Sequence, residues 1–262
     1  MTEPGAGSDL QAMKTRAERD GDGYRINGQK TFITNGYHAD LLVLAAKTDP
    51  AAGSKGVTLF TIDTTLPGFQ RGRRLEKIGQ HASDTAELFF EDLRVGAEQI
   101  LGGEGRGFAN MMNELPRERL ILGVGALAAA EGALERTIAY VKERQAFGQP
   151  LAQLQNTRFK LAELKAQLEV NRAFIRQCAA KYDRGELTTT DASIAKLSAT
   201  ELQFKVADEC LQLHGGYGYM REYPVSRAFV DARVQRIYGG ASEIMKELIA
   251  RSDLERCLVV AP

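Results

Sequence analysis

The sequence predicts a mixed α+β protein in which a β-domain precedes an antiparallel helical bundle. From Tyr24 to about Val95, short apolar runs alternate with Gly, Pro, Asn and Asp, a pattern typical of strands and turns. Beyond Gly107, long stretches rich in Ala, Leu, Glu, Lys and Arg repeat their apolar residues with helical period. With 44% hydrophobic and 26% charged residues among 262, the composition is that of an ordinary globular protein.

The clearest strand candidates are residues 41–44 and 57–62, where apolar residues cluster between turn signals. A linker near Leu101, followed by two glycines, separates the β-domain from the helical part. We therefore predict two domains, residues 1–103 and residues 104–256.

Two helices can be delimited within the second domain. The first is predicted over residues 155–183, with Gly185 where a helix stop is expected. The second begins near Thr190 and keeps its apolar period until the glycine pair Gly215 and Gly216. Short connections between such helices favour an antiparallel arrangement.

Charge and cysteine content argue against several classes. Thirty-four basic and 34 acidic residues cancel, so no global field attracts nucleic acid or an anionic membrane, and no apolar run is long enough to span a bilayer. The first residues lack the features of a signal peptide. Cys178, Cys210 and Cys257 are odd in number and far apart, which argues against disulfides and predicts a cytoplasmic location. The histidines show no ligand spacing, so we predict no metal.

One carboxylate stands out in the first predicted bundle helix. Helical spacing places Glu118 between Leu115 and Ile121, so apolar surroundings are expected. A carboxylate in such surroundings holds a proton more tightly, which suits a group that removes a proton from carbon near neutral pH. By the residues alone, a surface glutamate paired with Lys or Arg remains an open alternative.

Two glycine-rich segments each permit two interpretations. Residues 2–9 could bring backbone N–H groups close to an anion or a flavin ring, or could form an ordinary turn. Residues 212–219 could cradle phosphates, or could be a helix end capped by glycine. Composition leaves both alternatives open.

Six segments, taken in order, resemble signatures of the acyl-CoA dehydrogenase family. They are Thr-Glu-Pro-Gly-Ala-Gly-Ser-Asp at 2–9, the stretch 27–36 ending in Phe-Ile-Thr-Asn-Gly, Asp-Thr-Ala-Glu-Leu-Phe-Phe at 84–90, Arg-Gln-Ala-Phe-Gly at 144–148, the glycine-rich stretch 212–218, and Ile-Tyr-Gly-Gly at 237–240. Each alone is modest, but six in sequence are highly specific. The resemblance extends from Met1 to about Arg251.

The resemblance implies a middle β-barrel followed by a C-terminal antiparallel four-helix bundle, with FAD between them. It also implies a homodimer or homotetramer in which Arg144, Phe147 and Gln155 reach the FAD of a neighbouring subunit. The residues that it assigns to FAD are Thr2, Gly7, Ser8, Phe32, Ile33, Thr34, Arg144, Phe147, Gln155, Gln212, Leu213, His214, Gly215, Gly216, Ala241, Ser242 and Glu243.

One departure from the common pattern indicates the subfamily. Most members carry a catalytic glutamate directly after the tyrosine of the last signature, where this chain has Gly239. Members of the long-chain and isovaleryl type take the base from the first bundle helix, and Glu118 occupies that place. The resemblance thus implies Glu118 as base and the Gly239 amide as donor to the thioester oxygen. It assigns the substrate to Ser8, Pro116, Arg117, Arg119, Gly239 and Gly240.

The implied activity is α,β-dehydrogenation of an acyl-CoA thioester to trans-2-enoyl-CoA, with electrons passed to electron-transfer flavoprotein. Family members begin with a helical domain that does not precede Thr2 here, so we expect a truncated chain or an internal start. Two alternatives follow: a catalytically silent fragment that binds flavin and oligomerises, or an acyl-CoA oxidase. The oxidase is disfavoured because the extra C-terminal domain usual in that group is missing.

Overall fold

A computed structural model describes the backbone of residues 1–259 and the side chains of residues 1–252 and 254. The chain divides into two compact units, Met1–Glu114 and a second unit that begins at Leu115. The boundary falls inside the first long helix, because residues 107–114 of that helix are counted with the first unit.

The first unit is built on a mixed seven-stranded sheet. Its strands are β1 (Arg16–Asp20), β2 (Gly23–Thr34), β3 (Leu41–Lys47), β4 (Val57–Asp63), β5 (Phe69–Arg74), β6 (Thr85–Gly96) and β7 (Ile100–Leu101). They lie in the order β5-β6-β2-β1-β3-β4-β7, and every neighbouring pair is antiparallel except β1 with β3. The strands predicted at 41–44 and 57–62 are confirmed as β3 and β4.

The β-barrel prediction is wrong, because the sheet does not close. Within the described residues, β5 and β7 form the two edges and no ladder joins them. The strand β7 has only two residues, so it offers few backbone groups to a further strand. One face of the sheet is nonetheless well packed, around the buried side chains of Ile26, Phe60, Ile62 and Leu93.

The second unit is helical. Its elements are α1 (Gly107–Glu143, which begins in the first unit), the short strands β8 (Gln145–Ala146) and β9 (Gln149–Pro150), α2 (Gln155–Asp183), α3 (Thr189–His214), α4 (Pro224–Arg233) and α5 (Ser242–Val259). The two helices predicted from the sequence are confirmed as α2 and α3. No described helix has the length and apolar character needed to cross a bilayer.

The prediction of four helices is wrong in number, since the described residues contain five α-helices. Backbone chemistry explains the extra division. Gly215, with φ +60°, ends α3, and Pro224 opens α4 at its first turn. Gly239 and Gly240, both with positive φ, then separate α4 from α5.

A single apolar core ties α1, α2 and α3 together. It contains Leu127 and Leu134 from α1, Leu164 and Leu168 from α2, and a set of small residues from α3. Alanines on α3 allow close approach, and a Cβ at Gly123 of α1 would lie 3.1 Å from the carbonyl oxygen of Ala195. This packing fixes α1 against α3 within the second unit, and the site described next lies where these two helices meet α5.

Candidate functional site

The turn between α4 and α5 is formed by two glycines in conformations that other residues rarely adopt. Gly239 has φ +63° and Gly240 has φ +100°. A Cβ at position 239 would overlap Cδ1 of Leu122, on α1, and a Cβ at position 240 would lie 2.6 Å from Cε of Met245. The backbone conformation therefore favours glycine at these two positions, while the neighbouring atoms are the far ends of flexible side chains.

Two buried cations hold the carbonyl groups of this turn. The guanidinium of Arg119 donates from Nε to Gly239 O at 3.4 Å, and the ammonium of Lys196 donates from Nζ to Gly240 O at 2.7 Å. Lys196 is 0% exposed. Burial lowers the pKa of Lys196 to about 8, the charge of Arg119 adds to this shift, and Glu201 and Glu243 oppose it. Burial likewise lowers the pKa of Arg119.

The N–H groups of the turn have no acceptor in the described part of the chain. Among the described residues, the backbone amides of Gly239, Gly240 and Ala241 donate no hydrogen bond to a backbone or side-chain atom. Backbone donors left without partners are normally satisfied by water or by a ligand. The turn can therefore donate hydrogen bonds to an oxygen atom of a bound molecule.

Glu118 lies on the face of α1 that meets this turn. Glu118 and Leu122 are one helical turn apart and share a face, and Leu122 abuts Gly239. The expectation of apolar burial is wrong for the single chain: Glu118 is exposed and Ile121 is 57% exposed. The reason is that Leu115, Arg119 and Leu120 form the buried side of α1 here, and Glu118 lies at the border of that side. The catalytic role of Glu118 stays a prediction.

The other substrate candidates on α1 differ in exposure. Pro116 lies within the helix and is half-buried, and Arg117 is exposed. Proline inside a helix removes one backbone hydrogen bond, here in the turn that precedes Glu118. Arg119, in contrast, is buried and donates a hydrogen bond to the carbonyl oxygen of Gly239.

The first turn of α5 follows the glycines directly. Ser242 is buried and its hydroxyl donates to Glu201 Oε1 at 2.8 Å, while Glu201 also forms an ion pair with Arg236 at 2.8 Å. The Ser242 hydroxyl is thus engaged inside the protein, whereas Ala241 is half-buried and Glu243 exposed. The amides at this helix start carry a partial positive charge that favours an anionic or electron-rich group.

The glycine-rich end of α3 is a glycine-capped helix end that also exposes backbone groups, so it fits both interpretations drawn from the sequence. Gly215 caps the helix, and its N–H donates to Gln212 O. The ring of His214 is buried, bonds Cys210 O through Nδ1 at 2.7 Å and stacks on Tyr140 at 4.1 Å. Its side chain is therefore part of the packing. Gln212, Gly215 and Gly216 are exposed and Leu213 is half-buried, so backbone groups at this end are accessible.

An exposed aromatic residue marks the hairpin of β8 and β9. Phe147, at its tip, is 91% exposed and has φ +54°, a strained conformation for a bulky residue. Arg144, at the base of the hairpin, lies over the ring of Tyr217 at 5.7 Å, and Gln155 is an exposed residue at the start of α2. Strain and exposure of this kind favour contact with a ligand or a partner chain.

In the first unit, the loop of residues 2–8 is fixed by a buried ion pair. The carboxylate of Glu3 accepts hydrogen bonds from Lys14 N at 2.5 Å, Thr15 N at 3.1 Å and Lys30 Nζ at 2.7 Å. Burial acts to raise the pKa of Glu3, but these bonds outweigh it and hold that pKa below its usual value. The backbone is further tied by the bond from Thr31 N to Thr2 O at 3.0 Å.

The remaining candidates of the first unit are accessible. Gly7 and Ser8 are exposed in the loop, and Thr2 is half-buried. Phe32 lies at a bulge in the pairing of β2 with β6, has φ +56° and is 67% exposed. Ile33 is half-buried against the sheet core, and Thr34 is exposed. A bulge that turns an aromatic side chain outward is a common way to aim a residue at a ligand.

Sequence reasoning missed two features, Lys196 and the pair of Glu3 with Lys30. The signal for Lys196 was present, because it shares the buried stripe of Ala192 and Ala199, four residues before and three after. The ion pair had no local signal, since its members are 27 residues apart. Cys178 and Cys210 are free and buried, and Cys257 lies outside the described side chains. No group of three potential metal ligands occurs among the described residues.

Two family models match the chain. The model described as acyl-CoA dehydrogenase, middle domain, matches residues 1–93, and that described as acyl-CoA dehydrogenase, C-terminal domain, matches residues 105–254. The chain is 52% identical to the long-chain specific acyl-CoA dehydrogenase of Sus scrofa mitochondria over 96% of its own length and 59% of that protein. It is 41% identical to the mitochondrial isovaleryl-CoA dehydrogenase of Oryza sativa, over 96% of its length and 61% of that protein.

A solved structure shows the same fold. The acyl-CoA dehydrogenase of Geobacillus kaustophilus superposes with a TM-score of 0.95 at 48% identity, covering 96% of this chain and 67% of that one. The chain thus spans about three fifths of the curated relatives that it matches.

Proposed function

Because this chain belongs to the acyl-CoA dehydrogenase family, we propose that it carries the catalytic base, the oxyanion donor and the flavin-binding residues of an enzyme that dehydrogenates acyl-CoA thioesters. The observation that supports this most directly is the packing of Leu122 against Gly239, because it brings the face of α1 that bears Glu118 to a turn with free amides. Of the relatives compared, the chain is more similar to the long-chain type than to the isovaleryl type.

The chemistry assigned to Glu118 is removal of the α-proton of the thioester. The carboxylate would take this proton, and the negative charge that develops on the thioester oxygen would be met by the Gly239 N–H. One such backbone donor stabilises a transition state by about 3 kcal/mol. The Cα–H and Cβ–H bonds of the acyl group break, and the product is the trans-2-enoyl thioester.

FAD, when bound, would accept the β-hydrogen as hydride. The groups found in the chain suit a flavin nucleotide: an exposed aromatic residue, Phe32, for the ring, and exposed backbone at Gly215 and Gly216 for the phosphates. Arg144 would add a cation and Phe147 an apolar contact for FAD of a second subunit. The exposed tip of the β8–β9 hairpin supports contact with a second subunit, and we propose that the subunits form a homodimer or homotetramer.

We also propose that electron-transfer flavoprotein reoxidises the reduced FAD, and this part of the proposal follows from family membership. The cytoplasmic location inferred from the cysteines also stays a prediction, and the long-chain relative is named as a mitochondrial protein. The acyl-CoA thioester is the substrate class; residues Ser8, Pro116, Arg117, Arg119 and Gly240 remain its proposed contacts beside Gly239.

The test compares Glu118→Gln with the wild-type chain, both loaded with FAD. Mixing with an acyl-CoA should bleach the flavin absorbance of the wild type, and the variant should bleach roughly 100- to 10,000-fold more slowly because no base takes the α-proton. Glu135→Gln, an exposed glutamate elsewhere on α1, is the matched control and should bleach normally. Bound flavin without bleaching in the wild type would instead support a silent flavin-binding fragment.

A further inference from the structure

We propose that Lys196 is a positioning residue for the thioester oxyanion: together with Arg119 it fixes the two peptide groups that directly follow the Gly239 N–H, and so restrains the turn that presents this donor to the substrate. This inference rests on the proposed function and adds a residue that does not touch the reacting atoms. Lys196 acts through the backbone of the turn.

The geometry supports this role because the two cations anchor two successive peptide groups. In a trans peptide the C=O and the N–H point in opposite directions. Holding Gly239 O with Arg119 therefore aims the Gly240 N–H away from the guanidinium, and holding Gly240 O with Lys196 does the same for the Ala241 N–H. Both amides, and that of Gly239 before them, lack an acceptor among the described residues.

A glycine pair needs such anchors. Glycine has access to more backbone conformations than any other residue, so an unrestrained Gly-Gly turn would spread its amides over many directions. An oxyanion site is effective only when its donors are oriented before the charge forms. Two charged hydrogen-bond donors on consecutive carbonyls remove this freedom without adding side-chain bulk on the side of the turn where the amides point.

Lys196 forms no ion pair with any described residue. No carboxylate lies within 4.0 Å of its Nζ among the described residues, although the side chain is fully buried. The charged groups that act on it are Arg119 of α1, Arg236 after α4, Glu201 of α3 and Glu243 of α5. Of these, Glu201 is already engaged by Arg236 and Ser242. A buried ammonium with only a carbonyl partner is costly to keep, which favours a functional reason.

The charge of Lys196 also predicts how the turn depends on pH. Because its pKa is lowered to about 8, the ammonium is present at neutral pH and loses its proton above that value. While Lys196 stays buried, its neutral amine donates only an ordinary hydrogen bond to Gly240 O, so the turn is held less firmly as the pH rises. An arginine at 196 would keep its charge across this range.

The first experiment needs no turnover. Exchange at the turn is read from the amides of Ile237, Tyr238 and Met245, which donate to Val234 O and Ala241 O on either side of the two glycines. It is followed by mass spectrometry on the purified chain at about pH 7 and about pH 9, corrected for the intrinsic effect of pH. We expect Lys196→Met to raise exchange of the turn about tenfold at both pH values, wild type to lose protection only at the higher one, and Lys196→Arg to stay protected at both. Lys181→Met, which breaks the ion pair with Asp191 instead, is the matched control and should leave the turn unchanged.

The second experiment separates this inference from the proposed function. On FAD-loaded protein, flavin bleaching by an acyl-CoA should weaken above about pH 8 in wild type. Lys196→Met should bleach slowly at every pH, without this decline, and Lys196→Arg should shift the decline to higher pH. If wild type does not bleach, the proposed function fails and the exchange data alone decide the role of Lys196. If wild type bleaches and Lys196→Met matches it in rate, pH profile and turn exchange, the positioning role is overturned.

Discussion

Leu122 and Gly239 compete for one volume: Cδ1 of the leucine occupies the space that a Cβ at position 239 would need. A side chain at 239, including the glutamate that most family members are expected to carry there, would require the end of the Leu122 side chain to shift. The same helix presents Glu118 one turn earlier on the same face. The position of the carboxylate on α1 and the bare backbone at 239 are therefore two aspects of one packing arrangement.

Gly239→Ala should destabilise the protein by roughly 1–3 kcal/mol, because it combines a positive φ with overpacking against Leu122. Leu122→Ala in the same chain should recover part of this loss by removing the clash. Urea unfolding of the two single variants and the double variant measures the coupling. Strictly additive effects would mean that the two residues do not share space.

Glu3→Gln should cost roughly 3–5 kcal/mol of the free energy of unfolding, because it leaves the ammonium of Lys30 buried without a charge partner. Removing both charges with Glu3→Gln and Lys30→Met should be much less harmful than the single change. Chemical denaturation followed by circular dichroism provides the values. A loss below about 1 kcal/mol in the single variant would contradict the importance given to this pair.

The capping box at the start of α3, formed by Thr188 and Asp191, predicts a contribution to stability that is lost in acid. Burial acts to raise the pKa of Asp191, but hydrogen bonds to its carboxylate from Lys181 Nζ and from the N–H and hydroxyl of Thr188 outweigh it and hold that pKa below its usual value. A carboxyl of lowered pKa stabilises the fold above its unfolded pKa of about 3.9 and loses this contribution as the pH falls through the folded pKa.

Asp191→Asn should therefore reduce stability by about 1 kcal/mol at about pH 7 and by less at about pH 3, where protonation has already removed part of the contribution. Unfolding curves at both pH values test the difference. Glu186→Gln is a suitable control, because its ion pair with Arg184 is exposed and should matter little at either pH. Equal losses from Asp191→Asn at both pH values would rule out the carboxylate charge as the cause.

Phe32→Ala should weaken FAD binding about tenfold with little change in stability, because the side chain is 67% exposed and stacking of aromatic groups contributes about 1 kcal/mol. Flavin release on dilution, followed by fluorescence, measures the affinity. Ile78→Ala, which removes an exposed apolar side chain of the same unit, should leave FAD binding unchanged. Identical affinity in Phe32→Ala and wild type would remove Phe32 from the flavin site.

The sequence by itself determined the class of fold, the bounds of α2 and α3, the strands β3 and β4, and the family. These depend on local periodicity, on turn residues and on ordered signatures, all of which are visible along the chain. It did not determine that the sheet stays open, because strand closure depends on pairing between distant segments. The extra helix was missed although its boundary residues Gly215, Pro224 and Gly239 are local signals, because the resemblance implied four helices.

Only the tertiary structure decided which polar side chains are buried. Glu118, with apolar neighbours in sequence, lies at the surface of the chain, while Arg119 and Lys196 are buried and turned toward the same two glycines. Lys196 and Gly240 are 44 residues apart, and Arg119 and Gly239 are 120 apart. Periodicity can place a residue on a face of its own helix, but the partner across that face is set by the packing of α1, α3 and α5, where burial makes each unpaired donor or charge costly.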